Sequence, residues 1–225
     1  MRQEYYYSLA RPRLLPKSHA VLLITEINGE HAFPNAAMYT YIIFREPGKG
    51  SAQQEDAIRR YDALVSAIVT EPAASSLSGS SVSRTNMFCI PVRKESMASK
   101  SLQNPDNYKN IDEGDYSKSL GDQYLIEVRN RAKDEKVLTR LSNNSGPFLI
   151  STSDPIHDAA AGQPLLVVDL SIIEPDAIQA VVNQYKARIE AKALDEREMF
   201  STLRFKLIEF VSQGDQVVTL TRLGA

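Results

Sequence analysis

Residues 37–72 read AMYTYIIFREPGKGSAQQEDAIRRYDALVSAIVTEP, and this stretch decides the fold class. From Ala37 to Arg45 the run is apolar at consecutive positions rather than at alternate ones: Met38, Tyr39, Tyr41, Ile42, Ile43 and Phe44. That is the pattern of a strand covered on both faces. Glu46-Pro47-Gly48-Lys49-Gly50 breaks it. Ser51 then opens a helix, with Gln54 three residues on at capping-box spacing. Ile58, Tyr61, Leu64, Val65, Ile68 and Val69 recur at helical spacing, and Pro72 stops the helix near Glu71. A doubly covered strand that feeds straight into an amphipathic helix is a unit of a layered α/β sheet.

Working outward, residues 20–27 form another apolar run of strand length, closed by the turn signal Asn28-Gly29. Residues 1–18 carry Tyr5, Tyr6 and Tyr7 together with Pro12 and Pro16, and read as an irregular arm. Downstream, 73–85 is a small-residue stretch expected to be a flexible loop. Residues 86–93 are a strand, and Pro91 requires that strand to be an edge or to end early. Residues 94–117 are polar and are expected to be a second flexible loop, either functional, disordered or holding structure that its polarity hides. Helical spacing over 119–141 predicts one helix, followed by strands at 147–152 and 164–170. Ser171, Glu174 and Pro175 open a helix expected to run to about residue 211 across the charged stretch Glu190–Glu198, before a last strand at 216–223. The expectation is an α/β or α+β fold. It comprises one domain over 19–225, with a mixed sheet of about six strands and three packed helices, the last one long.

The composition supports a folded body. The chain has 225 residues, of which 43% are hydrophobic and 24% charged, enough for a substantial core. The net charge of −2 gives no general reason to bind nucleic acid, and only Arg11, Arg13 and Lys17 in the arm cluster basic charge. No apolar stretch approaches the ~18 residues of a membrane-spanning helix. The expected location is therefore the cytoplasm, or the periplasm or a former membrane anchor if an export segment preceded this sequence. The single cysteine, Cys89, excludes an internal disulfide and a cysteine-based zinc site. Its neighbours Phe88 and Ile90 favour a buried thiol.

Dinucleotide, phosphate-loop, nucleophile-elbow and zinc-hydrolase motifs are absent, so no cofactor is expected from motifs. Four constellations remain. Asp154, His157 and Asp158 follow one strand, and Asp169 ends the next. On parallel neighbours all four would share a rim, with His157 as general base or as a ligand in a mixed N/O metal site. The ten-residue connection favours an antiparallel pair instead, which would separate Asp154 from Asp169. Lys49, Gly50 and Ser51 before a helix could hold an anion, or simply form a capped turn. Asp106, Asp112, Glu113 and Asp115 lack the spacing of a calcium loop. His19 and His31 read as structural. The tyrosine arm (Tyr5, Tyr6, Tyr7) and the charged helix point to a protein partner or self-association. The expected function is that of a non-enzymatic binding or assembly protein; the alternative is a hydrolase or metal-assisted enzyme at Asp154, His157, Asp158 and Asp169.

Overall fold

The structure, a computed structural model, describes residues 19–27, 29, 36, 38–45, 52–69, 86–93, 113–190, 200–202, 204, 207–208 and 217–224. The arm with Tyr5, Tyr6 and Tyr7, the candidates Lys49, Gly50 and Ser51, His31, the loop 73–85, and Asp106 and Asp112 lie outside these residues.

The elements in chain order are β1 (His19–Ile24), β2 (Met38–Ile43), α1 (Ala52–Val69), β3 (Asn86–Pro91), a 3-10 turn (Glu113–Asp115), α2 (Lys118–Arg131), α3 (Glu135–Asn143), β4 (Phe148–Thr152), β5 (Pro164–Asp169), α4 (Pro175–Glu190) and β6 (Val218–Arg222). They form an α/β fold around one six-stranded sheet of order β1-β3-β2-β4-β5-β6. β1, β3 and β2 are parallel. β4, β5 and β6 then alternate in direction. The sheet is therefore mixed, and among the described residues its two edges are the first and last strands, β1 and β6.

The consecutive apolar positions are explained by helices on both faces. Met38, Ile42, Phe88, Ile90, Leu149 and Leu166 pack with Tyr61, Leu64 and Ile68 of α1 and Ile178, Val182 and Tyr185 of α4. Tyr39, Tyr41, Cys89, Phe148, Ile150 and Val167 pack with Leu120, Tyr124 and Val128 of α2 and Val137 and Leu141 of α3. Burying each such side chain contributes about 1.5–3 kcal/mol, which is why both faces of the strands are apolar. Cys89 is a buried thiol in the second of these layers.

On the first face α1 and α4 are also joined by a polar contact. Lys186, 2% exposed, donates from Nζ to the carbonyls of Ala67 and Ile68, 2.7 Å each. Its ammonium satisfies two of the carbonyls that the end of α1 leaves open, at the negative end of that helix.

β3 is interior, between β1 and β2, so of the two readings of Pro91 the early end holds: Pro91 closes the strand, and the ladder to β2 finishes earlier, at the Tyr41–Cys89 pair. One expectation changes. The single helix expected over 119–141 is two, so four α-helices rather than three are present among the described residues. Ala132, with ψ 129°, leaves the helix to bridge Leu223, and Asp134 caps a new one. The expected continuous helix to residue 211 is described as α4 to Glu190. Helical residues recur at 200–202, 204 and 207–208, where Phe200 and Leu207 return to the α1 face. The stretch between, 191–199, is outside the described residues.

Candidate functional site

The register of β4 and β5 decides whether the four candidate residues meet. The strands are antiparallel, with Phe148 opposite Asp169 and Ser151 opposite Leu166. Asp154 follows the carboxyl end of β4, whereas Asp169 lies beside its first residue. They stand at opposite ends of the sheet, about 15 Å or more apart at ~3.4 Å per residue. The shared rim needed for a four-residue centre is not formed, because a short connection brings β5 back along β4 rather than across the sheet.

Asp154 and Asp169 are also committed locally, and the His157 ring is packed in place. Asp154 accepts a bond from Gln163 Nε2 at 2.5 Å. The turn after it is clamped by Arg131, which donates to the carbonyls of Ile156 and Ala159, while Ile156 N–H donates to Tyr41 Oη at 2.9 Å. His157 packs its ring against Tyr124, with centroids 5.6 Å apart, and its Nδ1 lies 3.9 Å from Glu127 Oε1. Its Nε2 is buried with no hydrogen-bond partner. That buried nitrogen is not presented to a substrate, as the proton-accepting atom of a general base must be. Asp158 is exposed, and its N–H donates to the Pro155 carbonyl. Asp169, 1% exposed, accepts from Ser171 N–H and Asn144 Nδ2, tying β5 to the chain before β4.

The rim holding Asp154 is the amino end of the parallel strands, since Tyr39, near the start of β2, pairs with Thr152. Open parallel sheets place ligand crevices at the other end, where neighbouring connections part to opposite faces. Here that point lies between β2 and β3: the chain leaves β2 for α1 on one face and β3 for α2 on the other. Among the described residues the point is filled by rings. Phe44, Tyr61 and Tyr116 stack with centroids 5.0–5.8 Å apart. Tyr116 Oη accepts from Phe44 N–H at 2.9 Å, and its carbonyl accepts from Arg93 Nε at 2.8 Å. Burial holds the Tyr116 phenol well above its ordinary pKa, partly offset by the Phe44 bond and reinforced by the Asp122 charge. Arg45, at the end of β2, donates to the carbonyls of Leu141 and Ser142 at the end of α3. A shallow open depression of about 430 Å³ lies beside this point, between Thr25–Ile27 and the first turn of α2.

The sequence reading missed a polar group at the opposite end of the first core layer. Thr40, Asn86 and Ser151, from three adjacent strands, meet Tyr185 of α4 (Thr40 Oγ1 to Tyr185 Oη 2.8 Å, to Asn86 Oδ1 3.1 Å, to Ser151 Oγ 3.3 Å). Burial pushes the Tyr185 phenol pKa far up, against the lowering effect of its bonds to Ser151 and Thr40. Polar residues inside otherwise apolar strands were the available signal.

Among the described residues, no cluster of three or more His, Cys, Asp or Glu is placed to hold a metal, and no helix is long and apolar enough to cross a membrane. Comparison of the chain with known protein families, curated proteins and solved structures finds no match.

Proposed function

We propose that this protein works by binding, as an interaction or assembly protein that associates with a partner or with a second copy of itself. The observation that carries the reading is the β4–β5 register. It puts Asp169 at the far end of the sheet from Asp154, His157 and Asp158, so the enzymatic alternative loses the convergence on which it depended. Support also comes from where the candidate docking segment is attached. The arm with Tyr5, Tyr6 and Tyr7 joins the body at β1, an edge strand. A segment leaving an edge can reach a neighbouring molecule without crossing the protein's own surface.

The test is solution mass by light scattering, on the full chain and on a chain lacking residues 1–17. The reading expects an oligomer, or a complex with a retrieved partner, that dissociates on deletion. A monomer in both forms with no retrievable partner overturns it. Hydrolytic or metal-dependent activity that His157→Ala abolishes in the folded protein would install the enzymatic alternative instead.

A further inference from the structure

Beneath α4, a polar island interrupts the apolar layer, and its protons can be counted. Thr40 Oγ1 donates to Asn86 Oδ1 at 3.1 Å, which commits its only proton. It therefore accepts from the Tyr185 or the Ser151 hydroxyl, and those two also contact each other. Three hydroxyls with one proton each make a directed chain that ends on the carbonyl oxygen of Asn86. The Asn86 amide nitrogen, with two N–H groups, has no partner among the described residues, and the residue is 0% exposed. Turning the amide over does not cure this: Nδ2 would then face Thr40, and the oxygen would be the atom left over. Met38 Sδ, on the strand residue paired with Asn86, lies 4.0 Å from Tyr185 Oη. A second orphan sits at the same end of the sheet: the hydroxyl of Ser153, 6% exposed, also lacks a partner. Asn86 pairs with Met38 on β2, and Tyr39 next to it pairs with Thr152. Asn86 and Ser153 therefore flank the first residue of β2, about 10 Å apart across two strand spacings.

We propose that this end of the core is a solvent-binding site: ordered water, held by the Asn86 amide and bridging toward Ser153, is an integral part of the fold. An amide buried dry forfeits the hydrogen bonds it makes to water in the unfolded chain, and buried polar atoms in native interiors are nearly always satisfied. A buried water needs two to four polar partners; the Asn86 amide supplies the first, and with Ser153 two strand spacings away a chain of waters rather than a single one is needed to reach it. Water fits better than an ion because both groups are neutral and the neighbouring hydroxyls have already spent their protons on one another.

The test is a crystal structure of the full chain at a resolution that orders solvent, together with ¹⁷O relaxation dispersion to count long-lived internal waters. The expected result is solvent density within hydrogen-bond reach of the Asn86 amide. In solution, folded Asn86→Leu and Ser153→Ala should each lose a long-lived water. An amide contacted on that side only by carbon, or satisfied by a protein atom, overturns the proposal. So does an unchanged count of long-lived waters in either folded variant. Should Asn86→Leu fail to fold, Ser153→Ala and the crystal structure of the unmodified chain still decide.

Discussion

Gly121 lies in the first half of α2, where alanine would ordinarily stabilise a helix by up to ~1 kcal/mol. Here the sign should reverse. A Cβ at this position would fall 2.0 Å from Tyr116 Oη, and that phenol is pinned by Phe44 N–H and by two packed rings. Gly121→Ala should therefore destabilise the protein by about 1–3 kcal/mol, read as a lower urea midpoint. A neutral or stabilising result would mean that Tyr116 can leave its slot. The same phenol and that of Tyr185 shape the alkaline limit of the fold. Both hold their protons, mainly through burial, beyond the pH at which an unfolded chain releases them. Their contribution is whole below about pH 10 and declines above it, because the unfolded chain then binds fewer protons. Denaturant melts through that range should show stability falling by about 1.4 kcal/mol per pH unit for each phenol. Tyr185→Phe should remove one of the two contributions to that slope, and an unaltered slope would refute the assignment.

At the scale of elements, the break between α2 and α3 shows what periodicity hides. Val128 and Ala132 before it, and Leu138 and Leu141 after it, each keep helical steps, and neither Gly nor Pro intervenes. The break comes instead from outside the segment: the Ala132 backbone bridges Leu223, and Gly224 N–H donates to the Arg131 carbonyl at 2.5 Å. The only local mark is Asp134, whose carboxylate accepts from the amides of Lys136 and Val137 at 2.9 and 3.3 Å. Asp134→Ala should cost about 1 kcal/mol and speed hydrogen exchange at those two amides. Exchange that stays slow there would mean α3 is held by its buried Val137 and Leu141 alone. By contrast α1 and the strands were legible, because their signals are local: a capping box, a stop proline and branched apolar runs. Cys89 was legible as a buried thiol from its two apolar neighbours.

For the whole molecule, pairing order and direction were the illegible part. Nothing in residues 38–43 reveals that this strand sits between a parallel neighbour and an antiparallel one, and the candidate site depended on that fact. The short link between β4 and β5 did carry the warning that Asp154 and Asp169 would separate. The polar island was hidden because Thr40, Asn86, Ser151 and Tyr185 become neighbours only once three strands and a helix have assembled. Their bonds nevertheless tie the two halves of the sheet to α4, so replacing them tests the architecture as a whole.

The sheet order also has a consequence for biosynthesis. β2 lies at the centre of the sheet, yet one of its two neighbours is supplied late: Thr40 and Ser151 contact each other across 111 residues. At synthesis rates of about 5–20 residues per second, the nascent chain would hold β2 with one open edge for roughly ten seconds before β4 emerges. During that interval the run from Met38 to Phe44 is open to mispairing and to engagement by a chaperone on the ribosome.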